Sequence, residues 1–227
     1  MGLNRSLIIL FSFAILFSLG SCKRNSQGST SSQGLIEYDV VAVDPNNPMA
    51  DLAPTKMLVK FKEKRSVAEM SAGMGLLTMT FVSDYNTKTM TQLVKLLNKK
   101  YASTANAEEV QKELANSQLV VTKSSDTKVI AGYTCKKATI SYKDNAHPAF
   151  DVYYTEEIEL ENPNWGNEYN EIEGVLMEYQ LKRYNIELRF TARKVKKKHV
   201  DDAEFDRPAD YKLITQKELD DLFVGMQ

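Results

Sequence analysis

The sequence predicts a mainly β fold: an unclosed, strongly curved antiparallel sheet, a half-barrel, with about two short helices. Three observations carry this. Apolar and polar residues alternate with period two along most of the chain from Ile36 to Ala192, the pattern of strands with one covered face. Helical signatures are confined to two short stretches. Some nine or ten strands of this kind make a sheet large enough to curl strongly. Two short helices cannot cover it, so the sheet is expected to wrap around its own concave face.

The elements follow in order. Ile36, Tyr38, Val40 and Ala42 share one strand face, and Asp44-Pro45-Asn46-Asn47-Pro48 breaks that strand. Met57, Val59 and Phe61 mark a second strand, and Leu77, Met79 and Phe81 a third, with Ser66 to Gly75 less regular between them. Alternating Thr87, Thr89 and Thr91 favour a strand to about Val94, with a turn near Asn98-Lys99-Lys100. Asn106 with Glu109 fits an N-cap and capping box, which predicts a helix from about Ala107 to Ala115. A short β-branched run, Leu119-Val120-Val121, is followed by one long strand from Val129 to Tyr142. Phe150, Val152 and Tyr154 alternate next. Val175 to Leu181 and Ile186 to Ala192 form the cleanest hairpin, turning near Tyr184-Asn185. Thr215 with Glu218 caps a last helix, about Gln216 to Phe223.

The N-terminal region is organised differently. Arg5 precedes a 13-residue apolar run, Leu7 to Leu19, which is too short to cross a bilayer core. It ends in Leu19-Gly20-Ser21-Cys22, which looks like the lipobox of a bacterial lipoprotein precursor. Residues 1–21 are therefore expected to be a signal peptide, with Cys22 as the lipid-attachment site. Lys23 to Gly34 has no apolar side chain, so residues 22–34 are expected to form the lipidated N-terminus and its tether. Residues 35–227 then make one curved-sheet domain. Lys23 and Arg24 follow the cysteine, with no aspartate at position 23, so the cell envelope and its outer membrane are the expected location.

Composition narrows the function classes. Hydrophobic residues make up 43% and charged residues 26%, ordinary values for a globular protein. Loss of the signal removes Arg5 alone among charged residues, leaving a near-neutral balance that gives no reason to expect nucleic acid as a partner. Lipidation of Cys22 would leave Cys135 a lone thiol, read as a small buried apolar residue. His147 and His199 are isolated, and neither G-x-S-x-G nor H-E-x-x-H occurs. No catalytic, metal or cofactor residues are therefore assigned. Glu156 to Glu173 carries seven glutamates and no basic residue around Asn162-Pro163-Asn164-Trp165-Gly166-Asn167, and is read as a solvated loop, the alternative being a contact surface marked by Trp165. The basic run Arg193 to His199 is read as a solvated strand end.

Three segments resemble motifs of a bacterial domain family of unknown function, common in exported proteins and lipoproteins of Bacteroidetes. Thr127 to Ala138 resembles its "K-x-I-x-G-Y-x-C-x-K" strand, and Phe205 to Lys212 its "F-x-x-P-x-x-Y-K" segment. Gly174 to Tyr179 resembles its "G-L-P-L-E" strand, although Leu176 stands where proline is usual. That family is similar to the LolA/LolB-like lipoprotein-carrier superfamily. The resemblance implies an open curved sheet over an apolar cavity, and by fold analogy the binding of an acyl chain, a lipid or a lipoprotein. Methionine clusters between Met49 and Met90, and flexible methionines adapt to irregular apolar partners. Met57, Met70, Met74, Met79, Met177 and Tyr179 are accordingly the candidate hydrophobic-ligand pocket.

Two functions follow. The first is a membrane-anchored, non-catalytic lipoprotein binding a hydrophobic ligand on its concave face. The second is a structural or interaction lipoprotein with a filled core and an envelope protein as partner. A deep apolar pocket favours the first, and a packed interior the second.

Overall fold

The computed structural model describes residues 32–143, 147–183 and 185–224. Cys22 and the tether to Ser31 lie outside the described residues.

Among the described residues twelve strands form one sheet. They are β1 (Gln33–Ala42), β2 (Lys56–Lys62), β3 (Arg65–Ala72), β4 (Leu77–Asp84), β5 (Thr89–Leu96), β6 (Lys99–Ala105), β7 (Leu119–Ile130), β8 (Tyr133–Tyr142), β9 (Phe150–Thr155), β10 (Val175–Arg183), β11 (Ile186–Lys197) and β12 (Lys212–Leu213). The helices are α1 (Ala107–Leu114) and α2 (Gln216–Val224). The strand order is β12-β6-β5-β4-β3-β2-β1-β11-β10-β9-β8-β7. Neighbours are antiparallel except β12, which runs parallel to β6. The sheet is therefore mainly antiparallel and unclosed, as the alternation predicts.

Curvature shows in what meets across the concave face. A cleft of about 30 Å³ is lined by both Phe61 of β2 and Tyr133 of β8. Four strands lie between them in the sheet order, so only a strongly curled sheet brings them together. The main core cluster collects Ile36, Tyr38, Val40, Met57, Phe61, Met70, Met177, Leu188 and Phe190 on this face. The connection through α1 runs from β6, beside one edge, to β7, which is the other edge. The α1 N-terminus has the predicted capping box: Asn106 accepts from the backbone N–H groups of Glu108 and Glu109, and Glu109 accepts from that of Asn106.

The chain after β11 works as a strap. Val200 and Phe205 pack on Val67 and Val82, which face away from the concave side by their strand register. Lys60 and Lys62 hold Glu204 and Asp202 at 2.6 and 2.8 Å, and Arg65 also pairs with Asp202. The strap then adds β12 to the β6 edge and turns inward. There Leu219 and Phe223 of α2 bury against Val94, with Leu77, Met79 and Tyr101 alongside. Thr215 and Glu218 form the predicted cap of α2.

Three expectations are corrected. The irregular Ser66–Gly75 stretch is mostly strand β3, whose polar Ser66, Glu69 and Ser71 obscure its alternation. Lys99–Ala105 is strand β6, with the preceding turn at Leu97-Asn98 and Leu97 at φ 54°. The single strand expected from Val129 to Tyr142 is two strands. Ala131 and Gly132 both adopt positive φ, 51° and 86°, giving a tight hairpin without the usual Asn-Gly signal. Strand β7 is consequently much longer than the Leu119-Val120-Val121 run. Its pairing with β8 is interrupted by a bulge between Lys123 and Thr127. A bulge on a long edge strand, with Lys123 and Lys128 beside it, discourages pairing with another chain.

Candidate functional site

Five of the six candidate pocket residues gather on the concave face. Register places Met57 opposite Met70 and Met70 opposite Met79, a methionine row across β2, β3 and β4. Met177 is fully buried at 0% exposure in the main cluster. Tyr179 stacks on Phe190 with ring centres 4.9 Å apart, and Tyr38 and Tyr169 meet it edge-on at 6.1 and 6.0 Å. Met74 is separate: it stands fully exposed at the tip between β3 and β4.

The face is filled by the chain itself. The segment between β9 and β10, residues 156–174, dips into the sheet instead of lying in solvent. Tyr169 and Ile172 are each only 1% exposed, and both join Ala138, Ile140, Val152, Tyr154 and Leu176 in a second core cluster. The Tyr169 hydroxyl donates to the Gln180 carbonyl of β10. Asn164 is buried, and its side-chain amide donates to the carbonyls of Ile172 and Gly174 at 2.7 and 2.9 Å. Further along, the Trp165 indole donates to Ser83 Oγ at 2.8 Å, and its ring meets Tyr85 edge-on. Glu161 ties the segment to the β2–β3 turn through its backbone N–H to Glu63 O at 3.0 Å and an ion pair with Lys64. The reading of residues 156–173 as a solvated loop is therefore overturned. Seven glutamates set the composition of the stretch. The apolar residues that bury are spaced irregularly and match neither strand nor helix period, so periodicity could not find them. Only the Tyr169 to Ile172 spacing of three gave a weak signal.

On the opposite flank α2 covers the β4–β6 part of the same face. With the segment and the helix in place, the Met and Tyr side chains have protein partners. The larger opening nearby is lined mainly by glutamates, Glu63, Glu156, Glu159, Glu161 and Glu173, with Lys64, Ile158 and Leu160. That lining suits water more than an acyl chain.

The electrostatics are quiet. Burial, before all other causes, pushes the phenols of Tyr38, Tyr169 and Tyr179 above their ordinary range. The aromatic cluster therefore stays neutral. Tyr38 donates to the Leu176 carbonyl at 2.7 Å, at the bulge where β10 leaves register with β9. Cys135 is a buried free thiol whose pKa burial raises to about 11. Its thiolate is scarce at pH 8, so alkylation of the folded protein is expected to be slow. Iodoacetamide labelling followed by mass should show Cys135 modified only after denaturant is added; fast labelling of the native protein would contradict its burial. Among the described residues no group of three or more His, Cys, Asp or Glu side chains is arranged to hold a metal.

The family described as "N-glycanase peptide, N-terminal domain" matches residues 61–220, well over half of the sequence. The chain belongs to this family. All three motifs singled out above, at 127–138, 174–179 and 205–212, fall inside the match. No curated protein matches the chain. Among solved structures, MucB is 9% identical, covering 80% of this chain and 58% of that one with a TM-score of 0.33. The Pseudomonas aeruginosa MucA/MucB complex is 10% identical over 81% of this chain and 58% of that one, at 0.35. The Mycobacterium tuberculosis lipoprotein LppX is 12% identical over 75% of this chain and 89% of that one, at 0.35. The chain thus spans less than two thirds of the MucB chains it matches. These are remote likenesses.

Proposed function

We propose that this protein is a non-catalytic interaction domain of the bacterial cell envelope, acylated at Cys22 and held at the outer membrane, with a protein partner rather than an enclosed acyl chain. The observation that carries this reading is the burial of Tyr169 and Ile172 against the concave face, where a carrier would seat its ligand. Residues 22–32 act as the tether, two residues shorter than composition suggests because Gln33 and Gly34 pair with β2 as the start of β1, and the single folded unit begins at Gln33. The family description, an N-terminal domain of an N-glycanase, fits a module that accompanies other activities.

Native mass spectrometry of the chain without residues 1–21, combined with a hydrophobic-dye titration, tests the filled interior. The expected result is the bare polypeptide mass and no saturable dye binding. Co-purified lipid in stoichiometric amount would overturn the reading in favour of a carrier. Expression of the whole chain tests the anchor: it should fractionate with membranes, and Cys22→Ala should release it.

A further inference from the structure

We propose that the sheet rim at the far end of β1 is a bilayer-contact surface that takes anionic phospholipid. Four large aliphatic side chains stand in solvent there. Leu52 is 52% exposed, Met74 101%, Leu76 53% and Leu97 60%. They come from three separate connections: the β1–β2 loop, the β3–β4 tip and the β5–β6 turn. Antiparallel order places all three at the same end of the sheet. The Leu97 N–H donates to the Leu76 carbonyl at 2.8 Å, which locks two of the tips side by side.

The β3–β4 tip is built to project its side chain. Gly73, Met74 and Gly75 all have positive φ, at 54°, 56° and 88°. This is the left-handed region, which glycine adopts freely and a methionine does not. Met74 is thus held in an unfavourable backbone conformation and buries nothing in return. A core-forming role cannot account for it.

Charge identifies the occupant. On the three connections and the strand ends that flank them, residues 43–56, 72–77 and 95–99, the charged side chains are Lys56, Lys95 and Lys99 against Asp44 and Asp51. All three lysines are exposed, and none is paired with a carboxylate among the described residues. Aliphatic tips that enter the interface, ringed by unpaired lysines, match an apolar layer beneath phosphate headgroups.

The inference does not depend on acylation, yet it is compatible with it. Gln33, where the tether joins the fold, lies at the opposite end of β1 from this rim. The ten residues from Lys23 to Ser32 span at most about 33–36 Å. The ten residues of β1 rise about 33 Å. An anchored chain is therefore just long enough for the rim to reach the same bilayer.

The test uses the chain from residue 22 with Cys22→Ser, which cannot be acylated, and sedimentation with unilamellar vesicles. Vesicles of phosphatidylcholine mixed with phosphatidylglycerol are expected to retain the protein, less so at high salt. The variant Met74→Ser/Leu76→Ser/Leu97→Ser should bind at least about ten-fold more weakly. Its thermal midpoint should not fall, because these side chains are exposed. Lys95→Glu/Lys99→Glu should remove the preference for the anionic lipid. Absence of binding by the parent chain, or equal binding by the triple-serine variant, overturns the proposal, including where the rim is then found to hold a protein. Neither result touches the mass and dye measurements on the interior, so the two readings fail separately.

Discussion

Tyr169→Ala is expected to destabilise the domain by about 3–5 kcal/mol, the range for removing a buried aromatic side chain from a core. Tyr169 contributes an almost fully buried ring, an edge contact to Tyr179 and a hydrogen bond to β10. Tyr169→Phe keeps the ring and loses only the hydrogen bond, so its cost should be about 1 kcal/mol. Chemical denaturation of both variants measures the difference. Tyr169→Ala should also uncover apolar surface on the concave face and raise dye fluorescence below the unfolding transition. If alanine costs no more than phenylalanine, the segment 156–174 is not packed as described.

Gly174→Ala is the second large effect. A Cβ at this position would meet the Thr155 carbonyl oxygen at 2.7 Å and its carbon at 2.9 Å, with Tyr154 Cδ2 at 2.7 Å. Two of these are backbone atoms of β9, which cannot swing aside as a side-chain end can. The strand pair must therefore separate where β9 hands over to the filling segment and β10 begins. Such overpacking costs about 1–3 kcal/mol. For a domain of this size each kcal/mol lowers the melting temperature by about 2–4 °C. The Asn164 bond to the Gly174 carbonyl is on the same hinge, so calorimetry should also show a less cooperative transition. An unchanged midpoint would mean that β9 gives way freely.

Much of the sheet was legible because its strands have one wet face. Ile36, Tyr38 and Val40, or Leu188, Phe190 and Ala192, announce themselves by period two, and register then sets them side by side. The two capping boxes were equally plain, since their chemistry is local. Strand β3, with Ser66 on its inner face and Val67 on its outer one, and β6, with Ser103 and Ala102 buried on opposite faces, gave no contrast to read. The turn at Ala131-Gly132 was hidden by a residue that seldom adopts positive φ. At the candidate site the methionine row and Tyr179 could be named from composition and alternation. What occupies that face could not. Tyr169 and Ile172 are sent inward by long-range contacts with β8, β9 and β10, and no local pattern encodes that.

The placement of β1 has a consequence for how the protein comes into being. The first strand of the domain is hydrogen-bonded on one side to β2 and on the other to β11, about 150 residues later in the chain. A nascent chain can zip β1 through β6 by successive hairpins, but one flank of β1 stays unpaired until nearly the whole polypeptide has been released. Closure of loops this long makes folding slow. A polypeptide that completes its sheet only when its last long strand arrives remains threadable until late, and it spends that interval with an open edge exposed to other chains.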